Sequence, residues 1–159
     1  MRSLILFISS LLSLLSFTDA TKTSEIPPLN QKIIAFVDAH LGKQIGDGQC
    51  WALAAQALDE VRANWDHEYR FGKEIDAQHE NIYPGDIIQF QNVTIKYRTN
   101  EGLVLERYPQ HTAIIYKRKD EGVYVIANQN VNNNLTLQLT ELHLDGIIKG
   151  NYKIYRPQP

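Results

Sequence analysis

Four side chains have the types and order that thiol-based hydrolysis requires: Gln44, Cys50, His111 and Asn128. Such chemistry needs a thiolate to attack a carbonyl and a histidine to take and return the proton. It also needs a polar side chain to orient the imidazole, and donors for the tetrahedral oxyanion. Cys50, the only cysteine, lies in Gln44-Ile45-Gly46-Asp47-Gly48-Gln49-Cys50-Trp51, directly ahead of the alanine-rich run Ala52–Leu58. The two glycines allow a tight turn, and the run reads as a helix, so the thiol falls on a first turn. Free N–H groups and the positive end of the helix dipole gather there, and both favour a thiolate. In this arrangement His111 is the general base and Asn128 the orienting residue. Asn130 has the same strand parity as Asn128 and is the alternative orienter, whereas Gln129 has the opposite parity. Gln44 and the backbone N–H of Cys50 are the oxyanion donors.

Each residue also has a plainer reading. Cys50 could be a small buried hydrophobe, His111 a strand-edge histidine with a satisfied hydrogen bond, and Gln44 a loop glutamine. Trp51 reads as a core anchor rather than a substrate platform.

The elements that must position these groups follow from periodicity. Asn30 suits the cap of a helix running to about Leu41, with Ile33, Ile34, Val37 and Leu41 on one face and Gly42 ending it. A second helix, from about Gln49 to Asn64, puts Cys50, Leu53, Ala54, Ala57, Leu58, Val61 and Trp65 on one stripe. The charged stretch Asp66–Glu80 reads as loop. After the turn signal Tyr83-Pro84-Gly85-Asp86 the period becomes that of strands: Ile87–Phe90, Thr94–Arg98, His111–Tyr116, Val123–Ala127, Leu135–Leu139 and Tyr152–Tyr155. Helices followed by antiparallel strands predict an α+β fold, with the cysteine helix packed across a small bent sheet. His111 opens one strand of a hairpin and Asn128 ends its partner, which brings the two side chains within reach.

The length of 159 residues suits one domain. Met1-Arg2-Ser3, the apolar run Leu4–Phe17 and Thr18-Asp19-Ala20 read as a secretory signal peptide over residues 1–20, too short to span a bilayer. Residues 21–29 then form a flexible leader and 30–159 a single domain, secreted or periplasmic, with no stable membrane insertion after cleavage. The net charge of −2 offers no electrostatic footprint for nucleic acid. His40, His67, His79 and His143 show no metal-ligand spacing, and no nucleotide-binding motif is present, so neither a metal nor another cofactor is expected. Asn92-Val93-Thr94 and Asn134-Leu135-Thr136 are glycosylation sequons.

The run Gln44–Trp51 resembles the active-site segment of papain-type cysteine proteases, with glutamine six positions before the nucleophile, glycine two before it and tryptophan after it. The short interval from Cys50 to His111 suits the compact members of that fold group, the CHAP amidase and NlpC/P60 families. Gly48-Gln49-Cys50, Tyr83-Pro84-Gly85-Asp86-Ile87, His111-Thr112-Ala113-Ile114-Ile115 and Ala127-Asn128-Gln129-Asn130 resemble the CHAP segments in order. Gln110 stands where CHAP domains usually have glycine, Trp51 where they have threonine, and Asn128 where glutamate is frequent. The Cys-Trp-x-Leu-Ala helix is also similar to the cysteine-proteinase-fold domain of some fungal cytoskeletal proteins.

The resemblance implies a secreted, monomeric cysteine hydrolase that cleaves amide bonds in peptides or peptidoglycan. The rival expectation is a catalytically inactive secreted binding domain on the same fold. A third, a structural protein joined through an intermolecular Cys50 disulfide, conflicts with the inward position of Cys50 on its helix.

Overall fold

The computed structural model describes residues 25–159. The expected signal peptide at 1–20, and the leader through residue 24, lie outside the described residues.

Helix α1 spans Pro28–His40 and α2 spans Cys50–Glu60. Pro28 starts α1, where its missing N–H costs nothing. Asn30 is not the expected cap. It lies inside the helix, fully buried, and its Nδ2 donates to Pro84 O at 2.9 Å and to Asp86 Oδ1 at 2.8 Å. A cap leaves its side chain at the helix end; this amide is used to hold a distant turn. The second helix ends at Glu60, four residues before the expected end at Asn64, because Arg62 takes a left-handed φ of 56°.

The strands are β1 (Lys73–Ile75), β2 (Ile87–Thr99), β3 (Gly102–Asp120), β4 (Val123–Asn128), β5 (Gln138–His143) and β6 (Ile147–Arg156), with a 3₁₀ turn at Leu144–Gly146. They form one antiparallel sheet in the order β1-β6-β2-β3-β4-β5. The two short strands expected at Ile87–Phe90 and Thr94–Arg98 are one strand, and His111–Tyr116 is the middle of another. The alternating run Leu135–Leu139 is mostly loop, with β5 beginning at Gln138. The Asn130–Asn134 turn, closed by Asn130 N to Asn134 O at 2.7 Å, takes up the residues before it.

Two apolar layers lie on opposite sides of the sheet. One joins Ile33, Val37, Leu53, Ala57, Leu58, Trp65 and Phe71 to Ile87, Ile114, Ala127 and Tyr155 of the strands. The other holds Ile88, Phe90, Val93, Ile95, Ala113, Ile115, Ile126 and Leu142. Alternate strand residues face opposite sides, so the helix layer takes Ile114 and Ala127 while their neighbours Ala113 and Ile126 enter the other layer. Asp86 fastens the ends together. Its buried carboxylate accepts from Arg156 Nε at 3.1 Å and Arg156 Nη2 at 2.9 Å, and also from Asn30 and the Tyr83 N–H.

Candidate functional site

Cys50 is the first residue of α2 and is half-buried, a free thiol at the helix start. Gly46 and Gly48 take φ of 57° and 83°, so the loop turns through left-handed angles that favour glycine. Gly48 is also hemmed in: a Cβ there would meet Leu135 Cβ at 2.8 Å and Gln44 Cδ at 3.3 Å. The Gln44 amide thus lies against the residue two before Cys50, and its Nε2 reaches Gly46 O at 3.4 Å.

The loop is held by Gln129, which is fully buried. Its Oε1 accepts from Ile45 N at 3.1 Å, and its Nε2 donates to Ile45 O at 2.8 Å and Gln49 O at 2.9 Å. Asn130 Nδ2 adds a bond to Gln49 Oε1 at 2.7 Å. On the other side of the loop, Trp51 Nε1 donates to Glu68 O at 2.5 Å, and Trp51 and Trp65 stand 5.7 Å apart between ring centres. Part of the Asp66–Glu80 stretch is therefore tied beside the cysteine through the tryptophan that follows it.

His111 and Asn128 share a face, as expected, but it is the face away from α2. His111 pairs in register with Phe90, stacks on it at 6.3 Å and stacks on Tyr108 at 5.2 Å; both aromatic residues belong to the layer without helices. Asn128 alternates with Tyr124 and Ile126 into that layer, and its Nδ2 donates to Thr140 Oγ1 at 2.9 Å. Burial drives the His111 pKa down to about 4, and the nearby Asn128 side chain offsets this only in part. Neither His111 Nε2 nor Asn128 Oδ1 has a well-aligned hydrogen-bond partner.

The expected constellation is therefore divided. Gln44, Cys50 and Asn130 gather at the α2 loop, while His111 and Asn128 form a separate pair beneath the sheet. Among the described residues, no hydrogen bond links Cys50 to His111. The two candidates for the orienting role part company for the same reason, with Asn128 beside the histidine and Asn130 beside the Cys50 loop. On the α2 side, strand alternation presents Thr112 and Gln129, and Thr112 donates to Gln89 Oε1 at 2.5 Å. Gln129 is the residue that sequence reasoning passed over. The parity that set it aside from Asn128 is what turns it toward Cys50.

The other histidines lie elsewhere: His40 binds Phe36 O, His67 lies 3.6 Å from Asp59 and against Trp65, His79 binds Asp76, and His143 lies between Glu141 and Asp145 under Tyr97. No group of three metal-ligating side chains occurs among the described residues.

Two helices on a six-stranded antiparallel sheet, with a cysteine opening the helix that crosses it, define a papain-like cysteine-proteinase fold. The chain belongs to the AIM3/BBC1 cysteine proteinase-fold domain family, whose model matches residues 28–159. It is 26% identical over 145 residues to Altered inheritance of mitochondria protein 3 of Debaryomyces hansenii, an alignment that takes in 80% of this chain. The chain spans only 16% of that relative's length. Among solved structures, Ly7917 is similar at 14% identity with a TM-score of 0.51, covering 81% of this chain and 62% of that one. The structure of Ly7917 with the hydrolyzing product of MDP is similar at 15% identity and a TM-score of 0.50, covering 80% and 62%. At these identities the likeness bears on the fold.

Proposed function

We propose that this chain is a catalytically silent domain of the cysteine-hydrolase fold, which recognises a peptide or a peptidoglycan-like fragment at the loop around Cys50. One observation carries this reading: His111 stacks on Phe90 and Tyr108 in the layer opposite the cysteine helix. A general base must come within hydrogen-bond reach of the proton it takes. An imidazole that resists protonation down to about pH 4 is also poorly suited to form an imidazolium beside a thiolate. Around Cys50 stand four side-chain amides, Gln44, Gln49, Gln129 and Asn130, which can bind peptide groups without moving protons, beside the Asp47 carboxylate, which accepts from Gln49 N at 2.9 Å.

Hydrolysis is the second reading, favoured by the half-buried free thiol on the first turn of α2. It requires a rearrangement that brings His111 to the α2 side. Both readings are separated by one pair of measurements on wild type and His111→Ala. The first is the rate of Cys50 alkylation by iodoacetamide, and the second is release of soluble fragments from peptidoglycan or a peptide library. A silent domain alkylates at the same rate in both proteins and releases nothing. His111-dependent alkylation together with turnover would establish the hydrolase. Secretion rests on residues 1–20 and is tested separately, by fractionating cells that express the full chain and sequencing the N-terminus of the product.

A further inference from the structure

We propose that the outer half of the β2–β3 hairpin docks an extended acidic segment of a partner protein, which adds as a strand to the free edge of β3. Beyond the helices, β2 and β3 continue as an arm in which β6 backs β2 as far as Ile95, while β3 keeps a free edge. Residues 102–110 of β3 pair only with β2, whereas β4 pairs with β3 from Ile114 onward. Across residues 103–110 the far edge carries no backbone hydrogen bond among the described residues. Such an edge has unpaired N–H and C=O groups that an extended peptide can satisfy.

The side chains beside that edge define what the peptide must be. Tyr97, Glu106 and Tyr108 turn to the lower layer, where both tyrosine hydroxyls donate to Glu106. Alternation leaves Thr94, Lys96 and Arg98 of β2 and Leu103, Leu105 and Arg107 of β3 on the opposite, exposed face. They stand in rows: Arg107 against Thr94, Leu105 against Lys96, and Leu103 against Arg98. Lys149 of β6 joins the first row through Thr94. Leu103 and Leu105 are 56% and 47% exposed, two apolar side chains next to each other on that face.

Lys96, Arg98, Arg107 and Lys149 form no ion pair among the described residues; Lys32, Lys43, Arg62, Arg70, Lys117 and Arg118 are likewise without one, but the first four are gathered on one face of the arm. Four unneutralised cations on one face of a chain whose net charge is −2 are complementary to an acidic partner. Two of them, Arg107 and Lys149, line a shallow cavity of about 200 Å³ with Asn92, Val93, Thr94 and Pro109, wide enough for a carboxylate side chain. Pro109 lacks an N–H and so ends the usable edge. The bound segment therefore runs along 102–108, with its alternate carboxylates on the face of the cations and the leucines, and its apolar side chains on the opposite face beside Tyr97 and Tyr108. This docking does not depend on whether Cys50 is catalytic.

The test uses a fluorescein-labelled eight-residue peptide of alternating glutamate and valine, read by fluorescence polarisation with the folded chain. Two further peptides serve as controls: alternating lysine and valine, and the acidic peptide N-methylated at alternate residues. The acidic peptide is expected to bind, and binding to fall about tenfold or more in Lys96→Glu/Arg98→Glu. N-methylation, which removes strand hydrogen bonds but keeps the charge, is expected to abolish it. Equal binding of the methylated or lysine peptide would overturn the proposal. So would co-sedimentation with phosphatidylserine vesicles without peptide binding, which would assign the face to a membrane.

Discussion

Gln129 and Ile45 exchange two hydrogen bonds, Ile45 N to Gln129 Oε1 and Gln129 Nε2 to Ile45 O, in the manner of a strand pair made by one side chain. The end of β4 is thereby fixed against the loop that delivers Cys50 to α2. Burial makes this clamp matter, because each of its groups would otherwise be a buried polar atom without a partner.

Removing the clamp is therefore costly. Gln129→Ala leaves Ile45 N unsatisfied and is expected to lower stability by about 2–3 kcal/mol, measured by urea unfolding at neutral pH. Gln129→Glu sets a carboxylate against the carbonyl oxygens of Ile45 and Gln49 and should cost at least as much. Both variants are expected to speed alkylation of Cys50. Unchanged alkylation would mean that the loop holds its shape without Gln129.

His111 makes stability depend on mild acid. Its folded pKa, about 4, lies below the ordinary histidine value of 6.5, so the unfolded chain takes up the proton first. The contribution is fully present above pH 6.5 and is lost as pH falls toward 4. A shift of this size corresponds to about 3 kcal/mol. His111→Leu should flatten the pH 6.5–4.5 portion of the unfolding profile, and an unaltered slope would show that another group causes it.

Asp86 and Arg156 join the turn before β2 to the C-terminal strand. Asp86→Ala strands a guanidinium and the Asn30 amide and is expected to cost about 3–5 kcal/mol. Replacing both partners together, in Asp86→Ala/Arg156→Met, should cost less than the sum of the single changes. Additive losses in thermal unfolding would contradict a coupled pair.

Gly85 and Gly102 separate backbone strain from crowding. Both have positive φ, 86° and 136°, so alanine strains each by about 1–3 kcal/mol. At Gly85 a Cβ would also lie 2.5 Å from Asn30 O, whereas nothing lies within 4 Å at Gly102. Gly85→Ala is expected to lower the midpoint of thermal unfolding well beyond Gly102→Ala. Equal shifts would mean that α1 gives way at no cost.

The sequence by itself determined the order of elements, the cysteine at a helix start and the nearness of His111 to Asn128. These follow from local rules: glycine angles, an apolar helical stripe, and the pairing of consecutive strands. It also determined that Asn128 and Gln129 face opposite ways. What it left open was which way. Alternation orders the side chains of a strand into two sets, yet both sets here are apolar enough to be buried, with Ile114 and Ala127 in one and Ala113, Ile115 and Ile126 in the other. Only the packing of α2 onto the side of Ile87, Ile114 and Ala127 decided that His111 turns from the cysteine and Gln129 turns toward it. The same holds for the outer arm. Val93, Ile95 and Tyr97 read as a weak strand, but the left-handed Asn92, with a φ of 52°, moves the lower face from even to odd positions. That single conformation places Lys96 and Arg98 beside Leu103 and Leu105 in the open, a juxtaposition that only the fold decides.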